Sequence, residues 1–344
     1  MTNRETGTRG ARGRPARVTI TDVGVAAGVS PSTVSRVLNG TAKVDPALID
    51  RVLEAVRDLG YRPNLAAQGL ARGEWGTIGV MLPDLANPYF PDVLKAVTAV
   101  AQANGRRVMV MESNEDPTVE HDLVTDLMRC CDGILLCSPR MERTQLVELV
   151  GRGHPMVLVN RIVPGLPAPS ISVDFYGGIT LVCGHLAQLG HRDVVYLSGP
   201  EASWANAERI RALDAAKAFG MRVTVLPCGS TTRHGNEAAP GALESGATAI
   251  VTYNDLVAQG ALARLRQLGV DVPGEVSVIG FDDLSLDWFG LATLTTVSMP
   301  RDELGRRAGE MLELLMTEGH DTEPRYLSME LLVRDTSGPV RTST

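Results

Sequence analysis

Four side chains on the outward side of one short predicted helix, Ser32, Thr33, Ser35 and Arg36, carry the first recognisable chemistry. Hydroxyls suit phosphate positioning, and an arginine can fork onto O6 and N7 of guanine, worth roughly 1–3 kcal/mol of discrimination. A second set follows apolar runs much further along: Pro83–Phe90, Asn160-Arg161, Tyr253–Asp255 and Asp282-Asp283. Parallel sheets bind ligands at the carboxyl ends of their strands, so these four segments point into one place. Catalytic signatures are missing. There is no G-x-S-x-G elbow, no G-x-G-x-x-G, and none of the three lysines, Lys43, Lys95 and Lys217, follows a phosphate-cradling glycine run. His121, His154, His185, His191, His234 and His320 are not spaced as metal ligands, and the adjacent Cys130-Cys131 reads as packing. No catalytic residue, metal or cofactor is expected.

The elements that position these residues begin with a charge asymmetry. Residues 1–72 hold 11 Lys+Arg against 6 Asp+Glu, whereas the rest hold 22 against 34. A basic head on an acidic body suits a head that alone meets a polyanion. Within 1–17, five arginines and almost nothing apolar predict a mobile basic arm, and Arg12-Gly13-Arg14-Pro15 resembles a minor-groove hook. Thr19 can cap a helix carrying Ile20, Val23 and Ala27 inward, closed by Gly28. Ser30-Pro31 restarts a second helix with Val34, Val37 and Leu38 inward and Asn39-Gly40 as its stop. A third opens at Asp45-Pro46, with Leu48, Ile49, Val52, Leu53, Val56 and Leu59 at helical spacing. The result is a helix-turn-helix head over 18–62. Residues 63–75 form a short conditional helix and linker, since Gly69 weakens a segment already too short to be stable alone.

From Trp75 onward, apolar runs alternate with helical stretches: Thr77–Leu82, Arg107–Met111, Gly133–Cys137 and Met156–Val159, then Val194–Ser198, Val223–Leu226, Ala249–Thr252 and Val276–Phe281. That alternation predicts parallel sheets covered on both faces, arranged as two successive lobes with a cleft between them over 76–338. A tail follows at 339–344. With 44% hydrophobic residues, an odd five cysteines, no apolar run of membrane-spanning length and no signal-peptide core at the start, a cytoplasmic protein without a disulfide framework is expected.

The string VTITDVGVAAGVSPSTVSRVLNG, then GYRPNLAAQGLARG, TIGVMLPDLANPYF, LGHRDVVYLSGP, ERIRALDAA, TYNDLVAQGAL, VPGEVSVIGFDD and LTTVSMPRDELG, in this order, resembles the LacI/GalR family of transcriptional regulators. The resemblance covers about residues 18–338. It implies an α-helical helix-turn-helix DNA-binding head plus an α/β two-lobed, periplasmic-binding-protein-like sensor domain. It also implies a homodimer on a palindromic double-stranded operator and a small sugar-like effector, with no membrane partner. Carried over by position, Pro31, Ser32 and Arg36 lie where base edges are read. Thr19, Thr33, Ser35, Asn39, Lys43 and Tyr61 fit phosphate positioning, Ser30 is mainly a cap, and Leu70 matches a leucine wedged into the minor groove. Around the effector the family places Asn87, Tyr89, Phe90, Arg161, Arg209, Asn254 and Asp282, with Asn160 beside them and Trp204 at the rim. Two departures stand out: Asn160 where an aspartate is frequent and Met299 where glutamine is. The implied function is a repressor of carbohydrate-utilisation genes. A corepressor-dependent regulator with a nucleobase or nucleoside effector, and a cytoplasmic sugar-binding protein, are the alternatives.

Overall fold

Capping chemistry sets the three helices of the first unit. The computed structural model describes residues 18–38, 45–62, 74–284, 293–319 and 322–340, and the chain divides into units spanning 1–73 and 74–344. Helix α1 (Ile20–Ala27) starts in a reciprocal box: Thr19 Oγ1 accepts the Asp22 N–H at 3.3 Å, and the Asp22 carboxylate accepts the Thr19 N–H at 2.8 Å. That donation holds the Asp22 carboxyl below its ordinary range. Gly28, at φ +67°, ends the helix, and only Gly28, Val29 and Ser30 separate it from α2 (Pro31–Leu38). A Cβ on Gly24 would lie 2.8 Å from the Val29 carbonyl, so the tight crossing requires glycine there.

Helix α3 (Pro46–Asp58) begins with Asp45 Oδ1 accepting the Ala47 N–H at 3.1 Å. Val23, Ala27, Val34, Val52 and Ala55 form the small core, flanked by Ile20, Val37, Leu38, Val56 and Tyr61. Leu53 and Leu59, among the apolar residues at helical spacing, are exposed at 41% and 36%. Two eight-residue helices cover only a narrow stripe of α3, which leaves its flanks in water. The expected α2 stop at Asn39-Gly40, the basic arm 1–17 and almost all of 63–75 lie outside the described residues.

The second unit contains two six-stranded sheets. The first has the order β11-β5-β4-β3-β1-β2, from β1 (Thr77–Leu82), β2 (Arg107–Glu112), β3 (Gly133–Cys137), β4 (Met156–Val159), β5 (Ser170–Val173) and β11 (Arg325–Leu327), all parallel. The second runs β12-β10-β9-β8-β6-β7, from β6 (Asp193–Ser198), β7 (Arg222–Pro227), β8 (Ala249–Thr252), β9 (Ser277–Asp282), β10 (Thr295–Ser298) and β12 (Glu330–Leu332). Only β12 is antiparallel to its neighbour. Helices α4 (Tyr89–Ala103), α5 (Pro117–Met128) and α6 (Arg143–Gly151) serve the first lobe. Helices α7 (Phe175–Gln188), α8 (Trp204–Ala216), α9 (Thr232–Glu244) and α10 (Asp255–Gln267) serve the second.

All eight expected strands are present, but the lobes are interleaved rather than successive. The chain crosses between sheets after β5, after β10 and between β11 and β12, so α11 (Arg301–Thr317) returns to pack on the first lobe. Gly305 and Gly309, one turn apart, let α11 approach α4 closely: Cβ atoms there would meet Val93 O at 2.4 Å and Val100 Cβ at 3.1 Å. The four unexpected strands are short, and β5 and β10 are rich in Ser and Thr. Their buried hydroxyls find partners, as when Ser172 donates to Val173 O at 2.8 Å and Thr296 to Asp255 Oδ1 at 2.6 Å. Among the described residues no helix is long and apolar enough to cross a membrane.

Candidate functional site

Strand ends from both sheets converge on a narrow cleft lined by Asn87, Tyr89, Phe90, Asn160, Arg209, Asn254, Asp282 and Met299, all singled out from sequence. Its first-lobe wall is a closed hydrogen-bond network. Asn160, at φ +54° just beyond β4, donates from Nδ2 to the Tyr89 hydroxyl at 2.6 Å and accepts the Val173 N–H at 3.3 Å. Asn87 Oδ1 accepts the Tyr89 N–H at 3.1 Å. Burial raises the Tyr89 phenol, which stays protonated. Beside it, Arg140 holds both Glu115 oxygens at 2.7 and 3.1 Å and donates to Ser138 O at 2.9 Å.

The second-lobe wall is different. Arg209 of α8 is 2% exposed, yet among the described residues its Nε and Nη1 have no hydrogen-bond partner. Three rings hold its guanidinium: Phe281 at 4.0 Å, Tyr253 at 4.7 Å and Phe175 at 4.8 Å. Asp282, ending β9 at φ +114°, is 4% exposed, and among the described residues no hydrogen bond reaches its carboxylate. Burial, reinforced by the charge of Asp255, pushes the Asp282 carboxyl well above its ordinary range; Arg209 pulls the other way. Asn254 is occupied by the protein: it caps α10 by accepting the Val257 N–H at 2.9 Å and donates to Ser230 O at 2.9 Å. Asp255 behind it is pushed up to about 7, chiefly by burial. Arg301, first in α11, spans the lobes: it pairs with Asp92 of α4 at 3.1 Å and donates to the carbonyls of Asp282 and Asp283.

Two expected residues do not line the cleft. Arg161 follows Asn160, where the left-handed backbone at φ +54° ends the extended run of β4, and it is not among the residues that line the cleft. Burial and the nearby charge of Arg140 lower its pKa. Trp204 stands behind the wall, edge-on to Phe175 with centroids 6.0 Å apart. Tyr253 lies in a segment expected there, and the residues not chosen from sequence are Glu115, Ser138, Arg140, Phe175 and Ala205. Extending the strand-end rule to β2 and β3 finds the first three, and Phe175 follows the unexpected β5. Among the described residues no cluster of His, Cys, Asp and Glu could hold a metal ion.

On the head, Pro31, Ser32 and Arg36 are exposed together along α2, the last two one turn apart. The Ser30 hydroxyl caps by accepting the Thr33 N–H at 3.2 Å and lies within 2.9 Å of the Ser32 and Thr33 hydroxyls. Ser35 is half-buried, the Thr19 hydroxyl donates to Asp22, and Tyr61 packs half-buried on the head core. Asn39, Lys43 and Leu70 lie outside the described residues.

Two family models match the chain: bacterial regulatory proteins of the lacI family over residues 19–64, and periplasmic binding proteins and sugar binding domain of LacI family over 75–329. Among curated relatives, the HTH-type transcriptional regulator GalS of Salmonella typhimurium is 33% identical over 307 residues, covering 86% of this chain and 88% of that protein. Among solved structures, the lac repressor dimer bound to operator and the anti-inducer ONPF superposes with a TM-score of 0.82 at 25% identity, covering 94% of this chain and 99% of that one. The transcriptional regulator CelR–cellobiose complex gives a TM-score of 0.69 at 27% identity, covering 93% and 100%. A three-helix head, a two-sheet body with a polar cleft and these matches lead to one conclusion: the chain belongs to the lacI family of bacterial regulatory proteins.

Proposed function

We propose that this regulator is a ligand-responsive repressor of carbohydrate-utilisation genes, acting in the cytoplasm as a homodimer on a palindromic operator and released by a small sugar-like effector. No catalytic step belongs to this reading. The observation that carries it is Arg209, a buried guanidinium with two donors in the cleft that are unpaired among the described residues, near the buried Asp282 carboxyl. An unpaired buried polar group is costly, and a ligand offering hydroxyls to both side chains removes that cost. The rings of Phe90, Phe175 and Tyr253 suit the C–H faces of a sugar. Support also comes from CelR, solved with a disaccharide.

Release requires only that the effector prefer a lobe pose that operator binding disfavours. Arg36 and Ser32 carry base readout in this reading, and a two-fold dimer matches a two-fold site. The test is operator binding with genomic fragments around the protein's own gene, alone and with a panel of sugars and nucleosides. Release by a sugar is expected. Tightening by a nucleoside would make the effector a corepressor, and absence of any specific fragment would overturn the reading of the head. Arg36→Ala should erase preference among fragments while leaving weak, salt-sensitive binding. Retained preference would remove Arg36 from readout.

A further inference from the structure

The second lobe carries an apolar hollow besides the cleft. It lies between α7 and α8, holds about 230 Å³, and is lined by Tyr176, Cys183, Ala212, Phe219 and Met221, together with Arg192. Aromatic and sulfur-bearing side chains form the wall, and alanines of α8 leave the space open. Phe219 is 88% exposed on the short 3-10 turn Lys217–Phe219, followed by Gly220 at φ +84°. A phenyl ring held so far into water is an apolar surface without a protein partner. The Tyr176 ring is fixed from another side by Arg211, whose guanidinium sits 4.3 Å from its centroid and pairs with Glu208 at 2.6 Å.

Arg192 supplies the polar end. Its Nη1 donates to the carbonyls of Ala187 at 3.3 Å and His191 at 2.8 Å, so one arm of the guanidinium is anchored to the backbone. Among the described residues no carboxylate pairs with it, which sets it apart from Arg211 and from Lys217, which is paired with Asp214 at 2.7 Å. A positioned cation without a counter-charge beside an apolar hollow matches a molecule with an apolar body and one anionic end.

We infer that this hollow is a second ligand site, separate from the cleft, for a small apolar carboxylate, with the body against Tyr176, Phe219 and Met221 and the carboxylate on Arg192. The same two helices line both sites: α7 contributes Phe175 to the cleft and Tyr176 to the hollow, and α8 contributes Arg209 to the cleft and, three residues on, Ala212 to the hollow. An occupant is therefore one turn of helix from the orphaned guanidinium.

The test uses the full-length protein and the fluorescent aromatic sulfonate 1-anilinonaphthalene-8-sulfonate as the reporter, displaced by octanoate, phenylacetate or octanol. Gly184→Leu fills the hollow from α7, where a new Cβ meets nothing within 4 Å, so the variant folds. Expected is saturable one-to-one reporter binding, displaced by octanoate or phenylacetate at least about tenfold better than by octanol. Gly184→Leu should weaken the reporter by about tenfold or more, and Arg192→Gln should weaken the acids while leaving octanol unchanged. Unchanged melting temperature and operator binding in both variants keep the comparison clean. Reporter binding that ignores Gly184→Leu, or octanol competing as well as the acids, overturns the proposal. Neither outcome bears on the sugar reading of the cleft.

Discussion

The two walls of the cleft solve opposite problems. On the first-lobe wall Asn160, Asn87 and Arg140 are already engaged: Asn160 with Tyr89, Asn87 with the Tyr89 backbone, and Arg140 with Glu115. On the second lobe Arg209 and Asp282 are just as buried, yet among the described residues two guanidinium donors have no acceptor and no hydrogen bond reaches the carboxylate. A satisfied wall gains little from a ligand, because each new hydrogen bond replaces an existing one. An unsatisfied wall gains the whole difference. Binding energy should therefore concentrate on the second lobe, with the first lobe acting as a rigid, preformed face that closes over what the second has captured.

The largest expected effect tests that asymmetry directly. Arg209→Met keeps much of the apolar stem among Phe175, Tyr253 and Phe281 but removes the unpaired donors. Effector affinity, read by calorimetry, should fall about 100-fold or more, on the order of 2.7 kcal/mol. The melting temperature should move by only a few degrees, since an uncompensated buried charge leaves together with its ring contacts. Unchanged affinity would sink the idea that Arg209 is the anchor.

Asp282→Asn comes next, with an affinity loss of about tenfold and a pH signature. The folded-state pKa of Asp282 is raised. The carboxyl therefore costs the fold nothing below the unfolded value of about 3.9, and progressively more as pH climbs towards the folded value. Asparagine cannot ionise. The variant should melt above its parent at about pH 7.5 and lose that advantage near pH 4. A difference that does not vary with pH would mean that Asp282 is ionised in the fold at no cost.

How much of this was legible in the sequence depended on what kind of signal each part gives. Helix starts were plain, because Thr19, Ser30 and Asp45 cap through local chemistry that residue type reveals. The eight apolar strands were plain for the same reason. Strands β5 and β10 were not: SISV and TTVS look like surface until tertiary partners for Ser172 and Thr296 exist. The return of α11 to the first lobe was equally hidden, since Gly305 and Gly309 show their purpose only against Val93 and Val100. In the cleft, strand-end position found Tyr89, Asn160 and Asp282. It could not tell that Arg161 stays out of the cleft lining, or that Arg140 arrives from β3 with Glu115 as partner. Resemblance supplied Arg209, whereas its unpaired state is a property of packing alone.

The smallest expected effect is on the satisfied wall. Tyr89→Phe removes one hydroxyl and leaves Asn160 Nδ2 without its 2.6 Å acceptor. The damage should appear as lost stability, about 1–3 kcal/mol for an unpaired buried donor, because the network serves the fold. Effector affinity should change by no more than about threefold, under 1 kcal/mol, since the ligand never depended on a bond that the protein makes with itself. Chemical denaturation and calorimetry on the same sample separate the two. If Tyr89→Phe instead costs as much affinity as Arg209→Met while leaving stability intact, the walls are energetically equivalent, and the first lobe must open its network to receive the ligand.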